Sequence, residues 1–136
     1  MSVAASKAPE PWSRKRDWQS NAEDVLSEVM AFRVREGVDM ALGVTDDDLF
    51  VHGMNFVFGL ASREAGAAVI SVHRLKDDDQ SVFMGRVVKE AVHEVGHLHG
   101  LSHCDEPSCV MHFSNTLDDT EAKGTTFCPR CQNLLA

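Results

Sequence analysis

The order of apolar and polar residues predicts a helix near the start of the chain, a group of strands, and a second, longer helix. Ser20 and Glu23 have the spacing of a helix capping box, and Gly37 follows a sustained helical pattern, which together predict a helix over residues 21–36. The buried side of this helix is predicted to consist of Leu26, Val29, Met30 and Phe32.

Three short segments rich in strand-forming residues follow, at residues 38–45, 55–61 and 67–73, each bounded by glycine or aspartate. We interpret them as strands of one sheet. Acidic triplets lie at residues 46–48 and 77–79, and such triplets between structural elements are usually solvated turns rather than cation sites.

The second helix is predicted to begin at Ser81 and to end near Leu101. At about 100° per residue, one stripe of this helix is apolar and should pack on the core. That stripe consists of Met84, Val88, Ala91, Val95 and Leu98. His93 and His97 project from the opposite side, so we expect them to face a cleft.

Residues 93–103 read H-E-x-x-H-x-x-G-x-x-H without a mismatch. Residues four apart share a helix face, so His93 and His97 can bind one metal ion while Glu94 leans over the same cleft. Gly100 tolerates the left-handed conformation that ends a helix, which brings His103 round as a third ligand. Three histidines leave a fourth position for water, whose pKa zinc lowers to roughly 7, so the motif predicts a catalytic zinc site.

All four cysteines lie near the end of the chain, as C-x4-C followed by C-x2-C, at Cys104, Cys109, Cys128 and Cys131. Four thiolates in such pairs can surround one structural zinc ion at about 2.3 Å. We prefer this interpretation to two disulfides, since the sequence shows no export signal, and to a redox pair, which is expected in a different fold context. Residues 104–136 are therefore predicted to be a zinc-stapled C-terminal part with little regular structure.

Length and charge narrow the class of protein. A chain of 136 residues is the size of one domain, with residues 1–20 predicted to be a flexible arm. We find no apolar run of the length that a membrane span needs and no signal-peptide core. The formal charge of −8 argues against nucleic acid and anionic membranes as partners. We therefore expect a cytoplasmic monomer with no nucleic-acid or membrane partner.

These motifs resemble those of the archaemetzincins, a family of metzincin-type zinc metallopeptidases. The resemblance is close over residues 93–131, where the histidine motif runs directly into Cys104 and is followed by C-V-M, F-S-N and F-C-x-x-C. It implies two zinc ions, with Glu94 as general base. The catalytic zinc would be bound by His93, His97 and His103, and the structural zinc by Cys104, Cys109, Cys128 and Cys131. Met111 would be the Met-turn residue, an apolar floor under the catalytic metal.

The resemblance also implies a metzincin-like zincin domain of the α/β class: a twisted, mainly parallel sheet, an active-site helix, and a small irregular C-terminal part below the cleft. Such folds usually open with a strand, and only residues near 3–6 are available for it. Residues 113–115, beside Met111, are placed to shape the substrate pocket.

The predicted activity is zinc-dependent hydrolysis of peptide bonds in a peptide or protein. Glu94 would take a proton from the attacking water and pass it to the leaving amine. An extended substrate could pair with a sheet edge, for which residues 67–73 are the candidate. One alternative is a metal-dependent endoribonuclease with a similar three-histidine site, but such enzymes lack a glutamate at the position of Glu94. The other is a catalytically silent zinc-binding module, against which the intact motif argues.

Overall fold

Two four-stranded sheets and four helices account for the regular structure in the computed structural model, which describes residues 2–3, 14–16 and 18–135. The strands are β1 (Ser2–Val3), β2 (Arg14–Arg16), β3 (Gln19–Asn21), β4 (Ala41–Thr45), β5 (Asp48–Val51), β6 (Met54–Val57), β7 (Gly59–Ser62) and β8 (Ala67–Ser71). The helices are α1 (Ala22–Glu36), α2 (Gln80–Leu98), α3 (Leu117–Ala122) and α4 (Pro129–Leu135), with one turn of 3-10 helix at His73–Leu75. The predicted α/β class is confirmed.

The first sheet has the strand order β1-β4-β8-β7, with two parallel pairings and one antiparallel pairing, between β7 and β8. All five residues of β8 are buried because helices cover both of its faces. Successive side chains of β8 point to opposite faces of the sheet. Ala67 and Val69 belong to the core under α1, and Ala68 and Ile70 belong to the core under α2.

The prediction that residues 67–73 form a sheet edge is therefore wrong, since β8 lies between β4 and β7. Among the described strands, the edge beside α2 is β7. The predicted strand over residues 55–61 is two strands, β6 and β7, which belong to different sheets. At the other edge, Ser2 and Val3 pair in parallel with β4, and residues 4–6 lie outside the described residues.

The second sheet, with the order β2-β3-β5-β6, corrects the prediction of a single sheet. It depends on Asp48, a buried residue that the sequence placed in a solvated acidic turn. Its carboxylate accepts hydrogen bonds from Arg74 at 2.8 and 3.0 Å and from Gln19 Nε2 at 3.0 Å. Gln19 and Ser20, at the end of the predicted arm, are also buried, so the packed structure includes them.

Helix α1 begins one residue later than predicted. Asn21 is the N-cap, and its side chain accepts a hydrogen bond from the Glu23 N–H at 2.9 Å. Ser20 instead donates its hydroxyl to Asp47 at 2.8 Å. Gly37 ends the helix in the left-handed conformation (φ 65°), as predicted. The fully buried side consists of Ala22, Val25 and Val29, and Met30 is exposed.

Helix α2 packs on the sheet through the second half of the predicted stripe, with Val87 in place of Met84 and Val88. The side chains that meet the sheet core are Val87, Ala91, Val95 and Leu98. Met84 and Val88, at 47% and 41% exposure, lie off this line on the outer side of the helix. Within the described residues, no helix combines the length and apolarity that would let it cross a membrane. The C-terminal part has more regular structure than predicted, because α3 and α4 lie within it.

The two sides of α2 should respond differently to substitution. Leu98→Ala removes a buried side chain and should lower the free energy of unfolding by about 2–5 kcal/mol. Met84→Gln changes an exposed side chain and should alter it by less than about 0.5 kcal/mol. Urea unfolding followed by circular dichroism measures both free energies. A comparable loss from Met84→Gln would contradict the exposed position of Met84 and support the stripe that the sequence predicted.

Candidate metal centre

Two histidines of α2 are fixed by hydrogen bonds from their inner ring nitrogens. Nδ1 of His93 lies 2.8 Å from the carbonyl oxygen of Val110, and Nδ1 of His97 lies 2.7 Å from that of Leu101. A carbonyl oxygen can only accept, so both Nδ1 atoms carry the proton and both Nε2 atoms carry a lone pair. The two Nε2 atoms are 3.2 Å apart, an arrangement that a shared cation would stabilise.

The turn after α2 brings His103 to the same place. Gly100 adopts a left-handed conformation (φ 94°), and the Leu101 N–H donates back to the Gly96 carbonyl at 3.0 Å. The His103 ring centroid then lies 5.3 Å from that of His93 and 4.9 Å from that of His97. One ring nitrogen from each of the three histidines falls within 4.8 Å of the others.

The charge state of these rings suits a metal. Burial, followed by the nearby Lys123, lowers the pKa of His93 to about 3, and burial also lowers the pKa of His103. At neutral pH both rings are therefore uncharged, which is the form that binds a metal ion. The set of residues present thus fits a single divalent ion such as zinc.

Met111 lies fully buried against the middle of the motif helix. Gly96, between the two helical histidines, makes room for it: a Cβ there would overlap Met111 Sδ and lie 3.2 Å from Met111 Cε and from Phe127. The sequence motif allows any residue at position 96, so sequence reasoning did not identify this glycine as a requirement. The sequence could have indicated this requirement, because a glycine in the interior of a helix makes the helix less stable than an alanine would.

Glu94 lies buried in the wall of the same cleft. Burial, with a smaller contribution from Glu90, raises its pKa to about 8, and Lys123 opposes the shift. Strand β7 passes directly over it: a Cβ at Gly59 would lie 3.0 Å from Glu94 Oε1 and 2.7 Å from the carbonyl oxygen of Val69. Gly59 therefore lets the edge strand approach the glutamate.

A buried ion pair that sequence reasoning missed lies behind the histidines. Glu90 and Lys123 are both 2% exposed, with Glu90 Oε1 3.4 Å from Lys123 Nζ and accepting from the Thr120 hydroxyl at 3.0 Å. Lys123 also donates to the carbonyl oxygen of His112 at 3.1 Å and lies 3.5 Å from His93 Nδ1. Glu90 lies one turn before the motif on the same helix face, so its approach to the site could have been predicted from the sequence. No sequence pattern around Lys123 indicated its position.

The cleft between β7, α2 and the segment after Met111 encloses a cavity of about 420 Å³. One wall is aromatic, with Phe56 and Phe58 packed edge to face at 5.3 Å and the Arg74 guanidinium 3.9 Å from the Phe56 ring centroid. The ring centroids of Phe113 and His103 lie 5.0 Å apart. Residues 113–115, which the sequence placed beside the pocket, all line it.

The four cysteines form a second cluster. Cys104 and Cys128 have sulfurs 3.8 Å apart, as do Cys109 and Cys131, and all four sulfurs lie within 4.8 Å of one another. These distances exceed a disulfide bond of about 2.05 Å, and the thiols are free. They match the spacing of ligands around one tetrahedral ion.

Hydrogen bonds around the cluster favour thiolates. The backbone N–H groups of Met111 and Cys128 donate to Cys109 Sγ at 3.4 and 3.3 Å, and Arg130 donates to Cys104 Sγ at 3.1 Å. The backbone N–H of Cys131 and the other thiols lower the pKa of Cys128 to about 7. Burial and the other three thiols instead raise the pKa of Cys131, so a metal ion would be needed to hold all four sulfurs as thiolates.

Comparison with known proteins identifies relatives of this chain. A model of peptidase family M54 matches residues 7–136. The archaemetzincin of Thermococcus kodakarensis is 46% identical over 107 residues, 74% of this chain and 58% of the relative. That of Methanopyrus kandleri is 48% identical over 97 residues, 71% of this chain and 55% of the relative. The chain thus spans between about half and three fifths of the length of these curated relatives.

Solved structures of archaemetzincins are similar to this fold. The crystal structure from Methanopyrus kandleri superposes with a TM-score of 0.85 at 41% identity and covers 96% of this chain and 71% of that one. The structure from Archaeoglobus fulgidus, complexed with malonate, superposes with a TM-score of 0.77 at 42% identity and covers 86% of this chain and 70% of that one.

The fit of Met111 under the motif helix can be tested with two glycines of α2. Gly96→Ala places a methyl group on Met111 and Phe127 and should lower the free energy of unfolding by about 1–3 kcal/mol. Gly85→Ala meets no atom within 4 Å and should raise it by about 0.5–1 kcal/mol. Chemical unfolding of both variants measures the difference, and equal effects of the two substitutions would contradict the packing described.

Proposed function

This chain belongs to peptidase family M54, and from that premise we propose that it is a zinc-dependent metallopeptidase that hydrolyses peptide bonds. The observation that carries the proposal is the convergence of the Nε2 lone pairs of His93 and His97 beside a buried glutamate. Family membership favours this activity over the endoribonuclease and the silent zinc module that the sequence left open.

The histidine cluster would hold the catalytic zinc through His93, His97 and His103. Zinc at such a site supplies a Lewis acid that activates water and polarises a carbonyl group. The protein's part is to hold the rings in one tautomer through the carbonyl oxygens of Val110 and Leu101. Met111 and Gly96 provide the apolar floor that keeps this side of the cluster free of water.

Glu94 acts as the general base. Its carboxylate takes a proton from the attacking water and delivers it to the amine that leaves. Burial makes the carboxyl group basic enough to accept a proton, and a divalent cation on the neighbouring histidines favours its charged form before the reaction. Burial and the cation thus shift the pKa of Glu94 in opposite directions, which keeps it in the range where the group can both accept and release a proton.

The edge strand β7 is the proposed binding place for the substrate backbone. Its outer side has no neighbouring strand among the described residues, so its backbone groups can pair with an extended peptide. Gly59 brings the start of this strand against Glu94, so a peptide bound along β7 passes over the glutamate. The mainly apolar cavity below accepts side chains of a peptide or protein substrate.

The four cysteines would hold a second, structural zinc. Four thiolates close a tetrahedral coordination sphere, which leaves no position for water and thus no catalysis. Cys109 and Cys131 are buried in the C-terminal core with Val110 and Met111. A zinc ion there would therefore fix the segment that carries the Val110 carbonyl, the acceptor for His93.

Replacement of Glu94 tests the proposal. Glu94→Ala leaves all three histidines in place and should lower peptide hydrolysis by about a hundredfold to ten-thousandfold, because the general base is lost. Glu36→Gln, which changes an exposed glutamate at the end of α1, is the matched control and should leave the rate unchanged. Hydrolysis of a peptide library and zinc content are measured for each protein. Full activity of the Glu94 variant at full zinc content would remove Glu94 from this role.

A further inference from the structure

One cation at the cleft has no role in the proposed reaction. Arg63 directly follows the last residue of β7 and lines the same cavity as Glu94, His97 and His103. The residue is exposed, and its guanidinium makes no hydrogen bond or ion pair with a described residue. A guanidinium carries five N–H donors and a charge that does not titrate, so this group is available to a ligand in the cleft.

The guanidinium lies against the turn that follows α2. A Cβ at Gly100 would lie 2.7 Å from Arg63 Nη1, 2.9 Å from Cζ and 3.3 Å from Nη2, so the absent side chain makes room for the charged group. Gly100 lies between His97 and His103 in the motif. Because Arg63 also lines the cavity, its positive charge lies at the end of the cleft where the turn carries the third histidine.

The carboxylates of the cavity do not neutralise this charge. Glu90 is paired with Lys123 at 3.4 Å, and Glu94 forms no ion pair with Arg63. The whole chain has a formal charge of −8, so an uncompensated cation in the cleft is a local exception that attracts an anionic group to this place. A carboxylate suits a guanidinium best, because two parallel N–H···O bonds can form between them.

The position of Arg63 along the cleft determines where the carboxylate would lie on a substrate. Gly59, at the start of β7, lies against Glu94, and Arg63 lies just beyond the other end of this strand. Gly100, under the guanidinium, lies roughly 9 Å beyond Glu94 along the direction of α2, at about 1.5 Å per residue. An extended peptide advances by about 3.3 Å per residue, so this length corresponds to about three residues.

We propose that Arg63 binds a carboxylate of the substrate about three residues from the scissile bond and thereby gives the cleft a preference for acidic peptides. Two guanidinium N–H groups donate to the two carboxylate oxygens. The carboxylate belongs either to an acidic side chain or to the C-terminus of the peptide, since both present the same two oxygens. This subsite rests on the proposed function, because it assigns a substrate class to the same cleft.

Binding to the zinc-loaded Glu94→Ala protein tests the subsite without hydrolysis. The probes are alanine octapeptides with blocked ends and a central leucine, which anchors one side chain in the apolar cavity. Glutamate, glutamine or lysine is placed at each other position in turn, and calorimetry gives the dissociation constants. At one position the glutamate peptide should bind about threefold to tenfold more tightly than the glutamine peptide. This preference should decrease as salt is added, because the pair is exposed to solvent.

Variants of Arg63, made in the same Glu94→Ala protein, separate its charge from other causes. Arg63→Gln should abolish the glutamate preference, and Arg63→Glu should reverse it in favour of lysine. Arg63→Lys should retain part of it, because the charge remains and the paired hydrogen bonds are lost. Arg35→Gln, which changes an exposed arginine on α1, is the matched control and should leave the preference intact.

A second set of peptides identifies the source of the carboxylate. These peptides end at the preferred position with alanine, and their C-terminus is either free or amidated. Tighter binding of the free form that is lost in Arg63→Gln assigns the subsite to a chain end. A glutamate preference in the blocked peptides assigns it to a side chain.

Four results would overturn the subsite. They are no binding, equal binding of acidic and neutral peptides in both sets, a preference for lysine in the protein with Arg63 intact, and an acidic preference that survives Arg63→Glu at unchanged zinc content. The last result would mean that the carboxylate binds the zinc itself.

Hydrolysis of the same peptides by the unmodified protein separates this proposal from the function. Cleavage without an acidic preference rejects the subsite and keeps the peptidase. An acidic preference in binding that depends on Arg63, without cleavage of any peptide, keeps the subsite and rejects the peptidase.

Discussion

Two hydrogen bonds from ring nitrogens to carbonyl oxygens are the constraint on which the site depends. They fix His93 and His97 in the tautomer whose Nε2 lone pairs face each other at 3.2 Å. The Leu101 carbonyl is placed by the left-handed turn at Gly100, and the Val110 carbonyl by the chain that follows Cys109. The backbone after the helix therefore determines which nitrogen of each ring is available to a metal.

The cysteine cluster and the histidine cluster are joined through this backbone. Val110 and Met111 follow Cys109 directly and supply the acceptor for His93 and the floor beneath Gly96. On the other side, Lys123 ties α3 to the Met111 segment through the His112 carbonyl and to α2 through Glu90. A buried pair of this kind adds little net stability, but removal of one partner leaves an uncompensated charge. The C-terminal part thus acts as the lower half of the cleft.

The sequence predicted what depends on local spacing and missed what depends on distant partners. The motif residues come together through helix pitch and one glycine turn, and the cysteines were grouped from the paired spacing that zinc ligands have. The division of the strands into two sheets depends on pairings such as β3 with β5, across a helix, which periodicity does not reveal. Asp48 looked like part of a solvated turn because its partner Arg74 is distant in sequence. The buried position of Lys123 was not predicted, because its partner Glu90 is also distant in sequence.

The central claim is that the histidine cluster holds a solvent-accessible zinc distinct from the zinc of the cysteines. Stepwise chelation of the zinc-loaded protein, followed by zinc K-edge X-ray absorption, peptide hydrolysis and circular dichroism, tests it most directly. Mild chelation should remove the nitrogen ligands at about 2.0 Å and the activity first. The zinc that remains should have only sulfur ligands, at about 2.3 Å, in a folded protein. If sulfur ligands are lost first, or if the fold melts before activity disappears, the two sites have been assigned in the wrong order.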